Sequence, residues 1–202
     1  MSSNGDSATP AMHLALVGLA AALLVLLPPH RLAPAQVARI EVDPASVLPG
    51  DLVFRRGRSM ISRAVLSIDG ESEFSHVGIA LSEGRIVHAV PPEEDNPGGV
   101  VEEALETFLT PELASAAAVY RPSDPGIGFR AAARAWEYAR RRRPFDSGFD
   151  LSTPGAVYCT ELVWRAYLEE GVDLAGRDFR ERYLLPSHLL ASPDLRLIQE
   201  YR

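Results

Sequence analysis

The sequence predicts an α+β domain, an antiparallel sheet with an amphipathic helix packed across it. Two local patterns carry this. A β-hairpin reads from residues 75–90, and a helix with one apolar face starts at Cys159. The length, 202 residues at 47% hydrophobic composition, is enough for one sizeable core once the N-terminus is set aside.

In the hairpin, Ser75-His76-Val77-Gly78-Ile79-Ala80-Leu81 forms the first strand, Ser82-Glu83-Gly84 the turn, and Arg85-Ile86-Val87-His88-Ala89-Val90 the second strand. A three-residue loop ending in glycine suits a type I turn plus a bulge, with Gly84 left-handed. Leu81 then pairs with Arg85, His76 falls opposite Val90, and His88 falls opposite Gly78. Both histidines point to one face as diagonal neighbours, about 7–8 Å apart at Cα. A two-residue turn would put them on opposite faces. Gly78 and Ala80 share that face, small enough for a helix to approach closely. Taken singly, each histidine also reads as a satisfied, half-buried side chain.

Cys159 is the only cysteine, so it has no intramolecular disulfide partner. Cys159, Leu162, Val163, Ala166 and Tyr167 recur at helical spacing and form one apolar face. Glu161, Arg165 and Glu169 lie on the other face as i,i+4 charge pairs, and Gly171 suits the C′ position. A thiol in the first turn of a core-facing helix feels the positive end of the dipole, which favours thiolate. A lone cysteine is also a small buried hydrophobe. A cysteine with two histidines also suits three-ligand zinc, but no ligand pair has the close spacing usual in zinc sites.

The remaining elements follow in order. Asp51 to Arg55 reads as a strand and Ser59 to Ile68 as a short helix. Pro91 to Gly98 is an acidic solvated loop, placed to reach a cleft rim. Gly99 to Glu103 is an edge strand leading into the helical turn Leu105 to Leu109. Ala116 to Tyr120 is a strand, Pro122 to Gly128 a loop, and Phe129 to Arg143 a helix stopped by Pro144. The arginines at its end complement the helix dipole. Ser147 to Gly155 is a loop expected over the cleft, and His188 caps or packs the final segment. The net charge of −7 excludes general nucleic-acid binding.

The N-terminus is separate. Leu14 to Leu27 is an uninterrupted apolar run of 14 residues closed by Pro28-Pro29. That is short for a spanning helix and right for a signal h-region. Residues 1–35 read as an export signal or membrane anchor, with Ala33-Pro34-Ala35 a plausible cleavage site. Residues 36–48 read as a linker, and 49–202 as the catalytic domain. An exported protein of the envelope or periplasm is the expectation.

Pro49-Gly50-Asp51-Leu52-Val53-Phe54, Phe74-Ser75-His76-Val77-Gly78-Ile79, Pro144-Phe145-Asp146, Tyr158-Cys159-Thr160-Glu161-Leu162-Val163 and Pro186-Ser187-His188-Leu189 together resemble the circularly permuted papain-like amidases. These are relatives of the NlpC-type peptidases and of lecithin retinol acyltransferase. The resemblance spans about Pro49 to Pro193 and implies a papain-like sheet packed on the cysteine helix, with the histidine strand preceding that helix. It makes Cys159 the nucleophile, His76 the base and His88 the third polar residue. Many bacterial members carry glutamate at that third position and the acyltransferase branch carries histidine, so hydrolysis and acyl transfer both stay open.

The expected chemistry is acyl-enzyme formation on Cys159 with His76 as base, needing no cofactor and no metal. His88 would orient the His76 ring, and the Cys159 backbone N–H would serve as oxyanion donor. Tyr158 and Ser75 are the substrate-binding candidates, the Tyr158 hydroxyl either helping or packing. The expected substrate is a peptide, an amide or an acyl-lipid. Three functions remain: an envelope amidase or peptidase, a lipid acyltransferase or thioesterase, and a catalytically silent binding domain.

Overall fold

The computed structural model describes residues 39–202. The apolar run Leu14 to Leu27 and the Ala33-Pro34-Ala35 site lie outside the described residues. No described helix is long and apolar enough to cross a membrane.

Six strands form one antiparallel sheet: β1 (Leu52–Gly57), β2 (His76–Ala80), β3 (Arg85–Val90), β4 (Gly99–Ala104), β5 (Ala114–Pro122) and β6 (Leu195–Tyr201). Their order across the sheet is β4-β3-β2-β1-β5-β6. Because strand side chains alternate, the sheet has two differently covered faces. Leu52, Phe54, Val77, Ile79, Val87 and Ala89 pack one core under the long helices. Val53, Ala80, Ile86, Ala117 and Val119 pack a second core with Leu105 and Phe108. Ile40 and Val47 are buried in that second core, so part of the stretch read as a linker lies against the sheet.

Five helices accompany the sheet: α1 (Met60–Asp69), α2 (Leu105–Phe108), α3 (Pro125–Arg140), α4 (Cys159–Leu168) and α5 (Pro186–Leu190). Helix α1 is fixed at both ends. Ser59 Oγ accepts from Ser62 N, and Gly70 closes the helix at φ 62°. Helix α4 ends in a Schellman motif, with Val172 N donating to Tyr167 O and Gly171 N to Leu168 O, both at 3.0 Å.

Helix α3 departs from expectation at both ends. It begins at Pro125, inside the segment read as a loop, because Asp124 accepts from Gly126 N and Ile127 N and proline fits the first turn. The glycine of this turn serves packing: Gly128 lies against the Gly50 backbone, where a Cβ on Gly50 would come within 2.3 Å of the Gly128 carbonyl carbon. The helix stops at Arg140 and not at Arg143. Arg142 turns left-handed at φ 49°, which frees the Arg143 carbonyl to accept from Val100 N at 2.8 Å.

The hairpin turn also differs. Glu83 and Gly84 both have positive φ, 58° and 64°, and Arg85 N donates to Ser82 O. The central pair is therefore of I′ type. The register is nevertheless the expected one: Leu81 N donates to Arg85 O, and Ala80↔Ile86 and Ile79↔Val87 are paired. Strand β6 was not foreseen. It is an edge strand with only Leu195 buried, so it carries little hydrophobic alternation.

Candidate active site

The pairing of β2 with β3 stops at Ile79↔Val87, although β3 stays paired to β4 through His88↔Val101 as far as Val90↔Gly99. The expected pairs Gly78–His88 and His76–Val90 do not form, because the strands part there. Both imidazoles lie on one face of this opening. His76 Nε2 and His88 Nδ1 are 2.9 Å apart, with the rings nearly perpendicular at 86°. The His88 Nε2 lies 2.8 Å from Glu103 Oε1 on β4, close in distance but off the line of a straight hydrogen bond. Phe108 forms the floor, its ring centroid 5.6 Å from that of His76 and 5.0 Å from that of His88.

This chain of contacts fixes the tautomers. Burial pushes the Glu103 carboxyl up, but His88, Arg55 and Arg85 outweigh it and hold the group below its ordinary value. A carboxylate only accepts, so His88 presents Nε2–H to it and keeps Nδ1 as an acceptor. His76 must then donate from Nε2, which leaves His76 Nδ1 unprotonated. Burial, then Arg55 and His88, hold His76 well below the usual imidazole range. Burial also lowers His88 despite the Glu103 carboxylate. The resting pair is uncharged. Glu103 carries no motif of its own in sequence; only the β3–β4 register brings it to His88.

Helix α4 packs on the Val77–Ile79 face and so brings Cys159 to the start of β2. The expectation that Gly78 and Ala80 clear space for this helix is overturned. They face the second core, where Ile86 already fills the space over Gly78, its Cδ1 2.7 Å from where a Cβ would sit. The backbone N–H groups of Val77, Thr160 and Cys159 itself favour the charged form of the sulfur. An unbroken β2–β3 ladder would use the Val77 N–H; the opening makes it available. The expected thiolate is corrected too. Burial raises the Cys159 thiol above its ordinary value, more than these N–H groups and the Arg55 charge lower it.

The other face of α4 is buried at its start and exposed only by the time it reaches Glu169. Glu161 is 0% exposed and binds Arg165 at 2.7 Å, while Arg165 also donates to Leu151 O. The Tyr158 hydroxyl accepts from Leu184 N at 2.6 Å, so it ties the chain before α5 to the start of α4. Ser75 is 3% exposed and its Oγ accepts from Gly57 N, which places it in the β1–α1 corner and not in a cleft. His188 Nδ1 accepts from Leu185 N, capping α5.

Beside Tyr158 opens an apolar cavity of 490 Å³ lined by Ile61, Val65 and Ile68 of α1, with Phe149, Tyr158 and Leu184. The loop expected over the cleft contributes Gly148 and Phe149. The acidic loop lies elsewhere: Pro97 and Gly98 line a separate cleft with Arg142 and Pro144. The facing nitrogens of His76 and His88 are bonded to each other, and among the described residues no three His, Cys, Asp or Glu are grouped to hold an ion.

No curated protein of similar sequence was found. Among solved structures of similar fold is one described as the metalloprotein yiiX from Escherichia coli O157:H7. It matches at TM-score 0.61 with 19% identity, over 76% of this chain and 97% of that one. Residues 46–198, nearly the whole described domain with both the histidine strand and the cysteine helix, match one family profile, and the chain therefore belongs to the permuted papain-like amidase enzymes of the YaeF/YiiX, C92 family.

Proposed function

We propose that this protein is a cysteine-dependent hydrolase that cleaves an amide through an acyl-enzyme on Cys159. The observation that carries the reading is the Glu103–His88–His76 chain, which leaves His76 Nδ1 as the unprotonated nitrogen. His76 Nδ1 takes the thiol proton as sulfur attacks the carbonyl carbon. The C–S bond forms, and the carbonyl electron pair moves to oxygen. Collapse restores C=O and breaks the C–N bond, while the imidazolium returns its proton to the leaving amine. Water then repeats the sequence on the thioester. In this scheme the N–H groups of Val77 and Cys159 stabilise the oxyanion, and His88 orients the base.

Peptidoglycan peptides and acylated small molecules in the cell envelope are the proposed substrates, the envelope placement resting on the signal-like N-terminus. A second reading, acyl transfer or thioester hydrolysis on a lipid, is favoured by the apolar cavity next to Tyr158 and by histidine at position 88. Activated esters and amides of short and long acyl chains, followed by mass spectrometry, separate these readings. An adduct on Cys159 that water discharges supports the hydrolase; one discharged faster by an added amine or lipid acceptor supports transfer. No adduct in the wild-type protein, or one unchanged in Cys159→Ala, ends both and leaves a silent binding domain.

A further inference from the structure

Arg55 is the one residue of this cluster for which the reaction scheme has no use. It lies on β1 directly opposite His76. Its guanidinium stacks over Phe108 at 4.2 Å and donates from Nη1 to the Phe108 carbonyl at 2.5 Å. Its Nε is buried with no hydrogen-bond partner. Burying a guanidinium with an orphaned N–H costs stability, and no carboxylate pairs with it directly to offset that cost. A methionine or leucine would fill the same space over Phe108 without the penalty. What the cation gains by its position is proximity to the reacting groups.

Titratable groups on four elements feel its charge. His76 stands on β2, His88 on β3, Glu103 on β4 and Cys159 at the start of α4; α2 contributes only the ring and carbonyl of Phe108. Arg85 lies farther out, paired with Glu102 at 3.0 Å. The resting site is otherwise uncharged apart from the Glu103 carboxylate, so deprotonating Cys159 creates a new anion in a place where burial opposes it. An imidazolium can neutralise that anion only while His76 holds the proton, and His76 must give it up to the leaving group.

We propose that Arg55 is an electrostatic positioning residue whose fixed positive charge stabilises the Cys159 thiolate and the tetrahedral oxyanion formed from it, while keeping His76 uncharged between turnovers. The site thus runs on a permanent cation in addition to a transient one. The inference rests on Cys159 and His76 having the roles given above, but its test does not require turnover. Burial brings Arg55 down only to about 10, so it stays charged through neutral pH.

The test compares the wild-type protein with Arg55→Met and Arg55→Lys. Two readouts are used: the pH dependence of Cys159 alkylation by iodoacetamide, and the acid limb of acylation by an activated ester. Loss of a nearby cation raises the pKa of both an acid that becomes an anion and a base that becomes a cation. Arg55→Met should therefore move both the thiol titration and the acid limb to higher pH by about one unit, a tenfold slower alkylation at fixed pH. Arg55→Lys should keep both near their wild-type positions. A residue that only anchors Phe108 would change rates in both variants and shift neither titration. A folded Arg55→Met protein whose two titrations match the wild type overturns the proposal, as does Arg55→Lys shifting as far as Arg55→Met. Should the methionine variant not fold, Arg55→Gln, which keeps a donor for the Phe108 carbonyl, replaces it with the same expected shifts. Failure of acyl donors to label wild-type Cys159 would instead end the enzymatic reading, since alkylation needs no substrate.

Discussion

The two ends of the β2–β3 hairpin lie within residues 76–90 and do opposite things. At the turn end the strands are zipped: Leu81 N donates to Arg85 O, Ala80 pairs with Ile86, and Ile86 fills the space over Gly78. The backbone groups of these pairs are spent on the ladder. At the other end the ladder is released, and the backbone N–H of Val77, not paired to β3, favours the charged form of the Cys159 sulfur. Two imidazoles fill the opening in place of aliphatic side chains. Regular pairing satisfies its own groups and leaves nothing for a reactant. The released end has donors and bases to spare, and the contacts to Glu103 and Phe108 hold them in place.

If that division is real, substitutions at the two ends should fail in different ways. The largest effect belongs to the open end. His76→Ala should lower acylation of Cys159 by about 10²–10⁴, the range for loss of a general base, with the fold retained by circular dichroism. Glu103→Gln should be nearly as harmful. An amide can offer N–H to His88 Nε2, which reverses both tautomers and leaves His76 Nδ1 protonated toward the sulfur. A loss of about 10–100-fold is expected, since Glu103 is partly exposed and water can stand in. Glu103→Gln with unchanged acylation would remove Glu103 from the chain. Gly78 lies just past the last pair but under Ile86 of the closed end, so Gly78→Ala should cost about 1–3 kcal/mol of stability by overpacking against Ile86 and leave the Cys159 titration unmoved. A shift of that titration in Gly78→Ala would show that the ends are not separable.

The uncharged resting state gives pH predictions of definite sign. The Cys159 thiol is raised, so alkylation should be slow at pH 6 and still rising above pH 9. A plateau reached near neutral pH would restore the dipole-activated thiolate. His88 is 2% exposed and lowered, so below its ordinary value the unfolded chain binds a proton that the folded chain refuses. Stability is therefore fully present above about pH 6.5 and falls as pH drops below it, by up to about 1.4 kcal/mol per unit for this group. The melting temperature between pH 7.5 and 5 checks this; His88→Gln should flatten the acid side of the curve.

Much of this was legible in the sequence because periodicity reports faces. The spacing of His76 and His88 put both rings on one side of the hairpin, and the run from Cys159 to Tyr167 gave α4 its buried stripe. What stayed hidden depended on a third element. Glu103 reaches His88 only through the β3–β4 register, and Arg55 reaches His76 only because β1 lies beside β2. Neither partner is separated from the histidines by a spacing that a helix or hairpin would reveal. The thiolate expectation failed for a related reason. A helix start is visible in sequence, whereas the burial that opposes it comes from packing. Glu161 likewise reads as one member of an i,i+4 charge pair, and its full burial beside Arg165 is seen only in the packed structure.

The smallest expected effect concerns Ser75, beside His76 in sequence yet turned away from it in space. Its Oγ accepts from Gly57 N at 3.0 Å inside the β1–α1 corner, where a Cβ on Gly57 would come within 2.1 Å of Ser62 Oγ. The corner is thus closed by hydroxyls packed against a bare backbone. Ser75→Ala removes the acceptor and leaves the Gly57 N–H facing either Ser62 or nothing. The cost should be about 1 kcal/mol, near the net worth of one neutral hydrogen bond. The KM for any acyl donor and the Cys159 titration should not move, because the lost group faces neither the cavity nor the imidazoles. A Ser75→Ala protein of wild-type stability with a several-fold higher KM would reverse this assignment and place Ser75 in the substrate path.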